Sequence, residues 1–374
     1  MELHWLYARN FRKLKGITLE FSSQVNEIVG KNAQGKTSLL EAIHLCMTGN
    51  SFRTSSVREL VAHETDGFFV ECGFQKQGIG YELQMSFDGV KRRISLNRRP
   101  CESITLLLGQ IIGVTCTPEM QSLVKGSPHL RRHFLDLQLA QIDPLYVHHL
   151  SRYTRALKQR NVLLRAGDLR TIGIWEEKLA LSAAYITRER SKLIDQLNGI
   201  VRELYTELSS RCESNLLHLV YETKGGVEVV QEDLQMSVEY LRLHFEKELC
   251  RRRVQEASYG ATLVGPHRDD IKIFLGGKLA SEFASEGEMR LCALTLKFAE
   301  WRLLKAVTNE TPIMLIDDCS VYLDGERSQK LFGLMSSLGQ VFLSSLSSFQ
   351  GLGLGFTNSL KTFALEDGLV NQKT

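Results

Sequence analysis

Apolar positions near the start of the chain come in short runs parted by basic and polar turns. Leu3 to Tyr7, Ile17 to Phe21 and Val25 to Val29 each fit a strand. After a glycine-rich turn the period changes: Leu39, Leu40, Ile43, Cys46 and Met47 fall at helical spacing within Thr37–Met47. Strand patterns resume over Gly67–Phe74, Tyr81–Phe87 and Arg93–Leu96, with Asp88-Gly89 as a hairpin turn. An apolar run over 104–117, broken by Gly109 and Gly113, closes this part.

Near Gly126-Ser127-Pro128 the character shifts, and to about residue 255 the pattern is mostly helical. Tyr146, Leu150, Tyr153, Leu157 and Leu164 mark one amphipathic stripe, and a longer one runs from Trp175 to Leu208. Both stripes read as core. Strand character returns at Ala261–Gly265 and Ile271–Leu275, a helix follows over 288–306, and apolar runs lie at Ile313–Ile316 and Gln340–Leu343. There is no internal repeat and no sustained heptad.

Composition narrows the class. The 374 residues are 43% hydrophobic and 24% charged, enough for two or three globular domains. No apolar run reaches the length of a membrane span, and MELHWLYARNFRKL is too charged for a signal peptide, so the cytoplasm is expected. Lys and Arg number 46 against 43 Asp and Glu, and the net +3 does not by itself mark a nucleic-acid binder. The 8 cysteines are scattered without a C-x-x-C pair, which favours reduced core thiols over zinc sites or disulfides.

The strongest motif is Gly30-Lys31-Asn32-Ala33-Gln34-Gly35-Lys36-Thr37, a full G-x-x-x-x-G-K-[ST] between a strand and a helix, followed by Ser38. Loop and helix-start N–H groups in that arrangement wrap a polyphosphate, Lys36 reaches the β- and γ-phosphates, and Thr37 holds Mg²⁺. Pro312-Ile-Met-Leu-Ile-Asp317-Asp318 supplies a buried strand ending in carboxylates. Asp317 fits the Mg²⁺ side, and Asp318 fits a base that polarises water. Lys36 and Asp317 stand 281 positions apart, yet both must meet one nucleotide. A helical insertion therefore interrupts the nucleotide domain, with parts expected at 1–126 (head), 127–255 (helical lobe) and 256–374 (head). Ser285, Gly287 and Glu288 open a helix and form a second anion-binding helix start, which alone reads equally as a cap. Together these are the parts of an α/β ABC-type ATPase head.

At this point the chain resembles the bacterial RecF family, recombination-repair ATPases related to SMC heads. The resemblance runs nearly end to end. It rests on Asn10-FRKLK, the P-loop with Ser38-LLEAI, Thr117-PEMQSLVKGSPHLRRHFLD, Thr262-LVGPHRDDI, the Ser285 signature, the acid strand and Leu323-Asp324. It implies an ATP- and Mg²⁺-dependent homodimer in which Ser285, Gly287 and Glu288 cover the partner's nucleotide and Asp324 lies in a D-loop. It further implies clamping of gapped DNA, work with RecR and RecO, help to RecA loading, and SOS-linked repair and replication restart with slow hydrolysis as the reset. Ala33 stands where that family commonly has glycine, Glu288 replaces a usual glutamine, Val321 a usual serine, and Met120 a usual acid. Ser344 and Ser345 stand where transporter ATPases carry a histidine.

Other readings stay open at this level: an ATPase subunit of a membrane transporter, or a non-hydrolysing ATP sensor. Two basic groups are candidates for DNA phosphate. Lys91, Arg92, Arg93, Arg98 and Arg99 flank the expected hairpin; Lys125, Arg131 and Arg132 open the insertion, with Arg152 and Arg155 on one face of its first long helix. Gly265-PHRDD fits a zinc fragment, a salt-bridge cluster or a turn, with the salt-bridge cluster favoured.

Overall fold

The computed structural model describes residues 1–209, 216–224, 237–318, 330, 333–335, 337–348 and 360–373. Val321 and Asp324 lie outside the described residues. Two compact units emerge: Met1–Met120, Glu207–Ser210 and Leu294–Thr374 form the first, and Gln121–Thr206 with Arg211–Ala293 the second.

Along the chain the first unit begins with strands β1 (Glu2–Phe11), β2 (Leu14–Glu20) and β3 (Val25–Val29), then helix α1 (Lys36–Thr48). Strands β4 (Phe68–Lys76), β5 (Ile79–Phe87), β6 (Arg92–Leu96), β7 (Arg99–Pro100) and β8 (Gly113–Cys116) follow. The second unit carries α2 (Ser122–Lys125), α3 (Pro128–Ile142), α4 (Pro144–Ala166), α5 (Ile172–Leu208), β9 (Leu217–Glu222) and α6 (Val238–Tyr259). It continues through β10 (Asp270–Leu275), β11 (Lys278–Leu279) and α7 (Ala280–Phe283) into α8 (Glu286–Thr308), inside which the unit boundary falls. Strands β12 (Ile313–Ile316), β13 (Val341–Ser345), β14 (Leu360–Glu366) and β15 (Leu369–Lys373) complete the first unit.

The first unit stacks two six-stranded sheets on α1. One is antiparallel, in the order β2-β1-β4-β5-β6-β7, and the other runs β15-β14-β3-β13-β12-β8. In the second sheet β14, β3, β13, β12 and β8 are parallel, and only β15 is reversed. Parallel strands buried on both faces need continuous apolar runs, and β12 is buried at all of Ile313, Met314, Leu315 and Ile316. Helix α1 is buried from Ser38 through Thr48, so its Leu39, Ile43 and Met47 join Phe11 and Phe74 of one sheet to Phe342 and Phe363 of the other. A helix buried on all sides suits that place between two sheets, with its Glu41 carboxylate met by Arg12.

In the second unit buried charge pairs tie the helices together. Arg160 of α4 is fully buried and contacts Glu176, Glu256 and Thr262 at 2.9, 2.6 and 2.9 Å. Arg190 of α5 binds Asp136 at 2.7 Å and the Pro266 carbonyl at 2.7 Å. These links tie Glu256, Thr262 and Pro266 to the helices of the second unit, which extends to Ala293. The strand expected at Ala261–Gly265 is instead irregular chain. Its amides bond to side chains rather than to a ladder, Thr262 N–H to Asn161 and Leu263 N–H to Glu256. Strand β9 interrupts the stretch read as helical and pairs antiparallel with β10. No helix among the described residues is long and apolar enough to cross a membrane.

Candidate nucleotide site

Strand β3 ends at Val29, and the chain turns through residues 30–35 into α1. Two glycines are sterically required there. A Cβ on Gly30 would meet the Leu365 carbonyl oxygen at 2.6 Å, and Gly35 caps the helix at φ 108°. No side chain caps α1 and its first turn holds no acid, so its leading N–H groups remain directed at an incoming anion. Between the glycines Ala33 takes a left-handed φ of 67°.

Lys36 Nζ donates to the carbonyls of Gly30 and Lys31 at 2.5 and 2.9 Å, which folds the ammonium back along the loop. Partial burial lowers its pKa, while the charges of Asp318 and Asp317 oppose that shift. The carboxylates stand at the C-terminal end of β12, and β13 separates that strand from β3. Thr37 Oγ1 donates to Asp317 Oδ1 at 3.1 Å, and Ser344 Oγ of β13 donates to the same oxygen at 2.7 Å. Burial raises the Asp317 pKa, and these two hydrogen bonds work against the rise. The Asp318 N–H donates to Ser344 Oγ at 2.8 Å, so one hydroxyl aligns both acids.

These groups line a cavity of about 310 Å³ together with Lys13 and Arg53. Motif reading did not single out either cation, although Lys13 stands inside the Asn10-FRKLK stretch. Turns from both ends of the chain brace the loop. Lys13 Nζ donates to the Ala33 carbonyl at 2.5 Å, and Arg12 grips Glu41 of α1 at 2.8 and 3.0 Å. From the β14–β15 turn, Asp367 N–H donates to Gln34 Oε1 at 2.5 Å and Gly368 N–H to the Gln34 carbonyl at 3.2 Å.

Within the second unit, Ser285 and Glu288 make a reciprocal cap. Glu288 N–H donates to Ser285 Oγ at 3.3 Å, and Ser285 N–H donates to the Glu288 carboxylate at 2.9 Å. Ser285 and Gly287 are exposed. Ser285, Gly287 and Glu288 therefore stand at an open helix start.

The basic candidates separate into used and available cations. Arg131 is a correction: it is buried, clamps Asp270 at 2.7 and 3.0 Å, and donates to the Gly126 carbonyl. Its charge is directed into the unit's interior. Arg132 is partly buried and donates to the Asp269 carbonyl, and Arg92 donates to the Gly49 carbonyl, both at 2.7 Å. Arg93 pairs with Asp88 at 2.7 Å and Arg98 with Glu82 at 3.7 Å. Lys91, Arg99, Lys125, Arg152 and Arg155 are exposed. The Gly265-PHRDD stretch resolves into a polar network: Asp270 holds Arg131, Asp269 accepts from Tyr221 at 2.7 Å, and His267 Nδ1 meets Tyr153 at 2.5 Å.

The AAA domain family model matches residues 6–165. The "DNA replication and repair protein RecF" of Protochlamydia amoebophila is 43% identical over 346 residues, or 92% of this chain and 94% of that protein. A solved structure of the recombination mediator protein RecF-ATPrS in the RecFOR pathway has a TM-score of 0.89 at 30% identity, covering 100% of this chain and 98% of that one. An Smc head bound to the C-winged helix domain of ScpA gives 0.57 at 15% identity, over 99% and 96% of the two chains, which is a likeness of fold alone. The fold is that of an ABC-type ATPase head carrying a helical lobe.

Proposed function

The chain belongs to the RecF family of DNA replication and repair proteins, and on that premise we propose that it is an ATP-driven DNA clamp of recombinational repair. The observation that carries the nucleotide part is the Thr37–Asp317 hydrogen bond, which joins the loop helix to the acid strand across 280 positions. Loop N–H groups and Lys36 receive the β- and γ-phosphates, and Lys36 exchanges its carbonyl partners for phosphate oxygens. Thr37 and Asp317 are an oxygen pair fitted to Mg²⁺, which supplies neutralisation of phosphate charge when bound. Asp318, aligned through its own amide by Ser344, accepts the proton of the attacking water.

A complete site then needs a second copy of the chain. Ser285, Gly287 and Glu288 cover the partner's γ-phosphate. Slow hydrolysis releases the clamp. DNA phosphate is met by exposed Lys91, Arg99, Lys125, Arg152 and Arg155, with RecR and RecO as partners and RecA acting downstream. The RecFOR description of the matched structure supports that assignment. Family membership speaks against the transporter subunit.

Two substitutions test the site. Lys36→Ala is expected to abolish ATP binding while leaving far-ultraviolet circular dichroism unchanged. Asp318→Asn is expected to keep ATP bound and to lower turnover by roughly 10²–10⁴-fold. Undiminished ATP affinity in the first variant refutes the role of Lys36, and parental turnover in the second refutes that of Asp318.

A further inference from the structure

Strand β3 runs inside a parallel sheet, where both faces are covered and apolar side chains are the ordinary choice. Glu27 departs from this, for it is fully buried. Its neighbour Ile28 belongs to the core shared with α1, and side chains alternate along a strand, so Glu27 points to the opposite face of the sheet. Val25 and Leu343 on that same face are apolar.

Three hydroxyls converge on the Glu27 carboxyl group. Ser348 Oγ donates to Oε2 at 2.8 Å and Thr362 Oγ1 to the same oxygen at 3.2 Å. Ser345 Oγ shares its proton between the Ser347 carbonyl at 2.9 Å and Glu27 Oε1 at 3.4 Å. The donors thus come from β13, from the chain just beyond it and from β14. All of these strands lead into the nucleotide site. Strand β3 enters the phosphate loop, β13 carries Ser344, and the β14–β15 turn holds Gln34. The Gly30 N–H also meets the Ser345 carbonyl at 3.4 Å.

Stability does not call for a carboxyl group here. Burial strips its hydration, and replacing buried hydrogen-bonded groups by apolar ones of the same shape can be nearly neutral. What the hydroxyl bonds add is direction, because they fix where the end of β13 lies. Ser344 and Ser345 are consecutive and face opposite sides of the sheet, so holding one sets the other.

We propose that Glu27 is a positioning residue for hydrolysis, which acts from the far face of the sheet by holding Ser345 and Ser348 so that Ser344 keeps Asp317 and Asp318 aligned. This role rests on the nucleotide reading of the site.

The test measures kcat, KM and ATP affinity for the full chain, with thermal melting to check that each variant folds. Glu27→Leu is expected to lower kcat on the order of 10- to 100-fold while ATP affinity stays at the parental value. Glu27→Gln keeps the length and one acceptor oxygen, and should recover part of the loss. Because the route runs through Ser344, Glu27→Leu combined with Ser344→Ala should be no slower than Ser344→Ala alone. Should Glu27→Leu fail to fold, Ser348→Ala takes its place in the same comparison, with a smaller loss of kcat expected. Parental kcat in either single variant overturns the proposal, as does a loss confined to ATP affinity or one that multiplies with that of Ser344→Ala. Parental turnover in Asp318→Asn, or undiminished ATP affinity in Lys36→Ala, overturns the underlying nucleotide reading instead.

Discussion

Ala33 holds a left-handed backbone that costs an L residue about 1–2 kcal/mol. Glycine would relieve this strain and give back roughly 0.4–1 kcal/mol through a freer unfolded chain. Ala33→Gly should therefore stabilise the first unit by about 0.5–1 kcal/mol, read from urea unfolding; a loss of stability would contradict the assignment of strain. Glycine at Gly30 is a different matter, because the Leu365 backbone fills the place of its Cβ. At this scale the sequence was most informative where spacing encodes chemistry. Lys36, Thr37 and Asp317 could be named because a motif fixes their roles in advance. Arg131 could not be placed, since its partner Asp270 lies 139 positions away and a charge run does not reveal which members turn inward. Lys13 was equally silent, because its role arises from a turn meeting a loop.

Among the elements, β3, α1 and β12 were legible because each is buried and has one clear period. The irregular chain before β10 was not. Alternating Thr262, Leu263 and Val264 imitates a strand, but side chains from α4 and α6 capture its amides. The same segment holds two groups with opposed titration. Burial, assisted by Arg268, Arg132 and Arg190, lowers the His267 pKa from 6.5 to about 4, against a bond to the Thr262 carbonyl. Burial raises the Asp269 pKa from 3.8 to about 6, against Tyr221, Arg190, the Lys224 amide and Arg132. For His267 the folded value is depressed, so its contribution is present above pH 6.5 and lost as pH falls through about 4. For Asp269 the folded value is raised, so its contribution is present below pH 3.8 and lost as pH rises through about 6. Across the shared window the two nearly cancel. Asp269→Asn removes one side of the balance, and acidification from pH 6.5 to 4.5 should then cost the second unit roughly 2 kcal/mol more than in the parent. Urea unfolding at several pH values checks this; parallel pH profiles would refute it.

For the whole molecule, the proposed dimer makes the sharpest forecast. Ser285→Arg should bind ATP nearly normally yet fail to dimerise or hydrolyse it, and Lys36→Ala should fail at binding. Mixed together, they can assemble one site from an intact loop and an intact helix start, so partial ATPase recovery is expected. Full activity of Ser285→Arg alone, independent of protein concentration, would exclude a shared site. DNA binding offers a second readout. Replacing Arg152 and Arg155 with glutamine should reduce the slope of log affinity against log salt by about 0.9 for each duplex phosphate no longer neutralised. An unchanged slope would move the DNA interface to Lys91, Arg99 or Lys125.

The parallel sheet also governs when the nucleotide site can exist during synthesis. Strand β3 is made almost at once, but its neighbours β13 and β14 begin at Val341 and Leu360. At ribosomal rates of about 5–20 residues per second, the loop strand waits tens of seconds for both edges to be paired. Such distant pairing makes folding slow and leaves an unpaired strand exposed to wrong partners in the interval. Nascent chains stalled short of β13 should not be retained on immobilised ATP, however completely their N-terminal hairpins have formed.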